Sequence, residues 1–109
     1  SVSHGEQLRD FCYIDDVVDA IFLSIKNDDC FGKVINIASG EAISIKDVIT
    51  NIQNIIGMGK PQFGKVPYRV GENMELYANI CKAKNLLKWV SKVGLKHGLR
   101  KTINFYREI

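Results

Sequence analysis

Four polar side chains carry the chemistry this sequence offers: Arg9, Asn36, Arg69 and Glu72. A guanidinium is planar, permanently charged and forked, so it engages an anion at two oxygens where a lysine makes a point contact. Arg69 and Glu72 stand three residues apart with Gly71 between them. A glycine there lets the backbone turn so that both side chains face one ligand. Each residue also has an ordinary structural fate. Arg9 can pair with Asp10, Asp15 or Asp16 at the surface, and Arg69 with Glu72 in a turn. Asn36 can be a buried polar group satisfied by backbone. Residue types alone favour these structural fates.

Other chemistries have less to build on. Cys12, Cys30 and Cys81 are far apart, no C-x-x-C occurs, and neither His4 nor His97 lies near a cysteine. No metal is expected, and the thiols read as free in a reducing compartment. The nine glycines form no G-x-G-x-x-G, so the chain carries no dinucleotide cradle. Residues 80–109 hold eight of the 15 basic side chains against Glu108 alone, a block that would draw an anion. Those charges are spread along expected helices, with no aromatic residues at base-stacking spacing. A solvated helix face is therefore expected and nucleic acid is not. No apolar run approaches the ~18 residues of a membrane span, so no membrane partner is expected and the cytoplasm is the expected compartment. A composition 46% hydrophobic and 25% charged over 109 residues allows one ordered domain and excludes a disordered tail or a disulfide scaffold.

The candidate residues need a scaffold, and the apolar pattern predicts an α/β one. Residues 7–14 roughly alternate polar with apolar and predict a strand. Asp15 then stands as the N-cap of a helix, with Val17, Val18, Ile21, Phe22 and Ile25 at helical spacing and Asp16 and Asp19 near its positive end. Turn residues from Asn27 to Gly32 end it. Val34–Ala38 is a continuous apolar run, which predicts a strand buried on both faces as in a parallel sheet. Such a strand needs neighbours on both sides, and this chain offers few. It is expected to belong to a larger sheet, and at an exposed edge it would allow a homodimer. Ser44 followed by Asp47 resembles a capping box, Ile45, Val48, Ile49, Ile52, Ile55 and Ile56 form one stripe, and Gly57 supplies the stop. Residues 57–68 read as a connection with one short extended piece around Gln62–Val66. Met74–Ile80 predicts a short strand. Helices over Cys81–Lys88 and Leu95–Arg107 make about four in all.

Taken in order, six short pieces resemble a known family. They are Arg9-Asp10-Phe11-Cys12-Tyr13-Ile14-Asp15-Asp16, Asn36-Ile37-Ala38-Ser39-Gly40, Arg69-Val70-Gly71-Glu72, Ala78-Asn79-Ile80-Cys81-Lys82-Ala83, Leu87-Lys88-Trp89, and Gly98-Leu99 with Thr102, Phe105 and Tyr106. At these distances they are similar to the C-terminal part of the extended short-chain dehydrogenase/reductases that act on nucleotide sugars, the NAD-dependent epimerases and dehydratases. That family reads R-D-(F/W/Y)-x-(Y/H)-V-x-D, N-(I/L)-(G/A)-(S/G)-G, R-x-G-(D/E), A-D-x-(S/T)-K-A and L-G-W-x-P. The departures are Asn79 for the Asp, Lys88 for the Gly before Trp89, and Ser91 for the Pro after it.

The resemblance implies a C-terminal substrate-binding portion of an extended Rossmann-type fold, made of short strands and helices over residues 1–109. The dinucleotide-binding domain would precede it. NAD or NADP would be held by that absent N-terminal Rossmann domain, which becomes this chain's partner, and none would be held here. By the same resemblance Arg9 and Arg69 meet the diphosphate of a nucleotide sugar, Glu72 meets the ribose, and Asn36 touches the phosphates in some members. The family's catalytic Tyr-x-x-x-Lys is missing: Tyr13, Tyr68 and Tyr77 are followed four places on by Val17, Glu72 and Cys81. No catalytic residue is therefore assigned, and the chain alone is expected to be inactive. A free-standing, non-catalytic binding module with the same fold is the alternative.

Overall fold

A computed structural model of the chain describes residues 1–108. One helix forms where apolar spacing and capping residues agree. Ser44 accepts a hydrogen bond on its Oγ from the Asp47 N–H at 3.1 Å, and helix α2 runs Ile45–Ile56. Gly57 ends it in the left-handed conformation at φ +80°. Only Val48 is fully buried on it; the isoleucines at 45, 49, 52, 55 and 56 are half-buried. Helix α4, Leu95–Arg107, follows the expected bounds and packs on α2. Its Gly98 is buried, and a Cβ there would come within 3.3 Å of the Tyr13 ring. The chain thus has an α/β fold, with α1 at Ile14–Ile25 and α3 at Cys81–Leu86 completing four α-helices among the described residues.

Helix α1 starts two residues earlier than its sequence suggests. Tyr13 is the N-cap, without a side-chain cap, and Asp15 falls inside the first turn instead of capping it. The reason lies in Asp16. Its side chain turns inward, 3% exposed, and Oδ2 accepts from the backbone N–H groups of Lys92 and Val93 at 3.1 and 3.0 Å. The Trp89 indole N–H donates to the Asp16 carbonyl at 2.9 Å. This pins the segment after α3 against the start of α1. Trp89 thereby joins Ala20, Ala83 and Leu87 in a small core, with Cys12, Cys30, Ile35 and Ile37 packed around it.

Two expected strands are much reduced. Residues 7–14 keep only Leu8–Arg9 as strand β1, because Asp10 draws the chain out of line toward residues 39–40 and 78. Met74–Ile80 keeps only Glu75–Leu76, strand β3. Strand β2 is Ile43–Ser44, and the sheet order is β2-β1-β3. β1 pairs antiparallel with β2 (Leu8 opposite Ser44) and parallel with β3 (Leu8 opposite Glu75). Gln62–Val66 is a turn, not an extended piece: Val2 donates its N–H to Gln62 and accepts from Lys65 and Val66.

Val34–Ala38 is the clearest departure. It is not a strand, and Val34 is 80% exposed. A strand exists only where a neighbour accepts its backbone hydrogen bonds, and among the described residues none lies beside this segment. The outward face of α1 is left open in the same way. Ile14, Val18, Ile21, Phe22 and Ile25 lie on it, from 38% to 68% exposed. The radius of gyration of 16.3 Å exceeds the ~13 Å of a compact domain of this length, and the molecule is a slab 48 × 38 × 19 Å. Among the described residues no helix is long and apolar enough to cross a membrane.

Candidate functional site

The short sheet brings the candidate residues together. Arg9 ends β1, and the parallel pairing with β3 sets it beside the turn that precedes β3. In that turn Glu72 donates its N–H to the Arg69 carbonyl at 2.9 Å, and Gly71 takes φ +77°, a conformation that favours glycine. Leu8 N–H donates to the Met74 carbonyl at 2.7 Å, which fixes the turn against β1.

Two guanidinium groups therefore converge on one carboxylate. Arg9 Nη2 lies 3.4 Å from Glu72 Oε1, and Arg69 Nε lies 3.5 Å from Glu72 Oε2. Gln7 Nε2 donates to Glu72 Oε1 at 3.3 Å, and Arg9 Nη1 donates to the Leu8 carbonyl at 2.8 Å. The side chains of Glu72 and Arg9 are mostly buried, at 12% and 22% exposed, whereas that of Arg69 is 89% exposed. One carboxylate cannot neutralise two guanidinium groups, so the cluster keeps a net positive charge, with the Arg69 fork open to solvent. An anion that engages both arginines at once fits that arrangement.

The turn ion pair between Arg69 and Glu72 forms, and Arg9 joins it instead of pairing with Asp10, Asp15 or Asp16. Asn36 is not part of the cluster; it is exposed, and its side chain makes no hydrogen bond among the described residues. The cluster also lies outside the main concavities. One of these, about 180 Å³, is walled by Phe11, Cys12, Tyr13, Val93 and Leu95 and has no charged group. Its wall chemistry offers nothing to a charged ligand. The concavity that does carry charge, with Lys26, Lys88 and Lys92 beside Asp19, has no guanidinium to fork onto an anion, so the open face at Arg9 is the better candidate.

Two residues near the site had no assigned role in the sequence. Asp10 follows Arg9 directly and gathers three segments. Its Oδ1 accepts from the Ser39 N–H and Oγ at 2.8 and 2.6 Å. Its Oδ2 accepts from the Gly40 and Ala78 N–H groups at 2.9 and 3.4 Å. Burial pushes the Asp10 carboxyl up, but these hydrogen bonds to its charged form outweigh that and hold it below its ordinary value. Gln7 is the other, and nothing in residue type or spacing marks it. Cys12 is a poor nucleophile: burial, reinforced by the Asp16 and Asp10 charges, raises its thiol and keeps it protonated. Among the described residues no three histidine, cysteine, aspartate or glutamate side chains are grouped to hold a metal ion.

A family model described as GDP-mannose 4,6 dehydratase matches residues 1–102. A UDP-glucuronate 4-epimerase of Thermodesulfobacterium geofontis is 33% identical over 106 residues, covering 95% of this chain and 32% of that protein. A UDP-glucose 4-epimerase of Thermotoga maritima, solved with UDP-glucose, superposes with a TM-score of 0.87 at 30% identity over 99% of this chain and 35% of that one. A UDP-glucuronic acid 4-epimerase of Bacillus cereus, solved with NAD, gives a TM-score of 0.82 at 29% identity over 99% and 34%. The chain thus spans about a third of the length of the relatives it matches. It belongs to the GDP-mannose 4,6 dehydratase family of extended short-chain dehydrogenase/reductases and corresponds to the C-terminal part of an NAD-dependent epimerase/dehydratase.

Proposed function

We propose that this chain is the nucleotide-sugar-binding part of an NAD(P)-dependent nucleotide-sugar epimerase or dehydratase. Arg9 and Arg69 grip the nucleoside diphosphate, Glu72 accepts from the ribose hydroxyls, and Asn36 contributes to the phosphates only if its loop is brought closer. The observation that carries this reading is the convergence of two arginines, 60 residues apart in sequence, on one carboxylate. Buried, positioned Arg9 and exposed Arg69 divide the work: the first fixes the anion's place, the second closes on it from solvent.

The residues of this chain do not fit the dinucleotide. A pyrophosphate sits on a glycine-rich turn at a helix N-terminus, where N–H groups and the dipole favour it. Helix α4 opens on Gly94 alone, with no glycine-rich turn before it, while the first turn of α1 carries Asp15 and Asp16 and that of α2 carries Asp47 behind the Ser44 cap. Carboxylates there repel a pyrophosphate. Cofactor binding and the catalytic residues accordingly belong to an N-terminal Rossmann domain. The open face of α1 and the unpaired Val34–Ala38 segment supply the apolar surface that such a domain would cover. The chain alone is inactive on this reading.

The test uses protein expressed from its complete reading frame, with UDP-glucose and UDP-glucuronate as substrates and UDP as ligand. A hydrogen bond to a charged group is worth about 1.5–3 kcal/mol, so Arg9→Ala and Arg69→Ala should each weaken UDP binding roughly 10- to 150-fold. Affinity unchanged within about twofold in both variants would remove the site assignment. Tight UDP binding with no turnover of any nucleotide sugar would favour a non-catalytic binding module instead.

A further inference from the structure

We propose that Gln7 is a positioning residue for Glu72, holding that carboxylate in place when Arg9 and Arg69 turn to phosphate. This deepens the nucleotide reading above and rests on it. In the structure Glu72 accepts from Gln7 and Arg9 at 3.3 and 3.4 Å and makes an ion-pair contact with Arg69 at 3.5 Å. All three are longer than the ~2.7–2.9 Å of a tight charge-assisted hydrogen bond, so none alone fixes the carboxylate. A diphosphate carries more charge and more acceptor oxygens than one carboxylate, and it competes for both guanidinium groups. Once they move, Glu72 loses both cationic partners while still largely enclosed.

Gln7 is the donor that stays. Its amide is neutral and gains no charge attraction from the phosphates. Its backbone is tied down by the Ile45 N–H donating to its carbonyl at 3.1 Å, and the next residue, Leu8, donates to Met74. The amide also has a defined way round. Gln7 Oε1 is buried with no hydrogen-bond partner among the described residues. Exchanging the oxygen and nitrogen would place that oxygen against the Glu72 carboxylate and remove the one hydrogen bond the side chain makes. A buried acceptor left without a partner calls for a reason, and the N–H held on Glu72 is one. With Gln7 in place, Glu72 keeps its orientation and presents free lone pairs to ligand hydroxyls. Gln7 should therefore govern recognition of the ribose and leave the phosphate grip alone.

That separation can be read by titration calorimetry on protein expressed from its complete reading frame. The probes are UDP, 2′-deoxy-UDP and inorganic pyrophosphate. The variants are Gln7→Met, which keeps the length and loses the donor, and Gln7→Leu, which loses the donor and adds no charge. The wild type should prefer UDP over 2′-deoxy-UDP roughly tenfold, the value of one hydrogen bond to a charged acceptor. In both variants that preference should fall below about threefold, with pyrophosphate affinity within about twofold of wild type. Circular dichroism establishes that at least one variant folds as the wild type does. A preference kept in both variants overturns the role of Gln7. Equal weakening of UDP and pyrophosphate does so too, because it marks a merely structural residue. A wild type that binds both nucleotides equally overturns it while leaving the phosphate grip intact. A wild type that binds neither UDP nor pyrophosphate, or an Arg69→Ala variant that binds both unchanged, overturns the nucleotide reading itself and the role of Gln7 with it.

Discussion

Asp10→Asn should destabilise the protein by about 2 kcal/mol at neutral pH, and the size follows from where its four hydrogen bonds go. Asparagine can keep one oxygen on Ser39, retaining the two contacts at 2.6 and 2.8 Å. Its amide nitrogen then faces the Gly40 and Ala78 N–H groups, donor against donor. The Ala78 contact at 3.4 Å is weak and adds little. The Gly40 contact at 2.9 Å is worth roughly 1.5–3 kcal/mol as a hydrogen bond to a charged acceptor, toward the lower end because Gly40 is exposed and water can replace the lost partner. Urea denaturation at pH 7 reads the loss as a lower midpoint at unchanged slope. The pH dependence supplies a second readout. Asp10 is held below its ordinary 3.8 in the folded protein, so the unfolded chain takes up the proton first as pH falls. Its contribution is complete above about pH 4 and is lost as pH drops through the lower folded value. The gap between wild type and Asp10→Asn should therefore narrow below pH 4. A variant within about 0.5 kcal/mol of wild type at pH 7, or a gap unchanged down to pH 3, would refute the reasoning.

Three further substitutions test how the scaffold is held. Ser44→Ala removes the cap of α2 and should cost about 1 kcal/mol, read by the same denaturation; a cost near zero would mean that the Asp47 N–H finds water equally well. Asp16→Ala removes a carboxylate only 3% exposed and leaves the Lys92 and Val93 N–H groups without their partner, which should cost about 2 kcal/mol, with faster amide exchange at those two positions. Unchanged exchange there would show that another group holds the segment. Lys88 sits at φ +55°, where a side chain costs roughly 1–2 kcal/mol and glycine does not, while glycine gives back about 0.4–1 kcal/mol through the unfolded chain. Lys88→Gly should thus stabilise by about 0.5–1 kcal/mol in urea, and a net loss would show that the lysine side chain makes a compensating contact.

Helices were legible in the sequence because their signals are local. Ser44, Asp47 and Gly57 mark both ends of α2 to the residue, and the spacing of Leu95, Leu99, Ile103 and Tyr106 suffices for α4. Strands were not, because a strand depends on partners that spacing does not name. The alternation over residues 7–14 is real, yet Asp10 binds three distant N–H groups and breaks it after Arg9. Val34–Ala38 has the composition of a buried strand and no neighbour to make it one. The Asp15 cap failed for a similar reason, since the backbone of residues 92–93 recruits Asp16 and shifts the helix start. The site divides along the same line. Arg69, Gly71 and Glu72 could be read as a local turn, but bringing Arg9 to that turn takes the β1–β3 pairing. Gln7 carries no sequence signal at all, because its role exists only once Glu72 stands beside it.

The exposed apolar face and the charged cluster answer to different forces. Fully covering Ile14, Val18, Ile21, Phe22 and Ile25 would contribute about 1.5–3 kcal/mol for each fully exposed side chain, less here because none is fully exposed. Even halved, the five approach the ~5–15 kcal/mol that separates a folded domain from its unfolded chain. On the proposed reading, much of the stability of this region therefore comes from a surface outside it. The site does not draw on that surface. Arg9, Arg69, Glu72 and Gln7 are set by β1, β3 and the 69–72 turn, held through Leu8 to Met74 and Ile45 to Gln7. None of these contacts involves α1. Stability and nucleotide grip should then be separable by position: a charge placed on the α1 face weakens folding first, and a charge removed from the cluster weakens binding first.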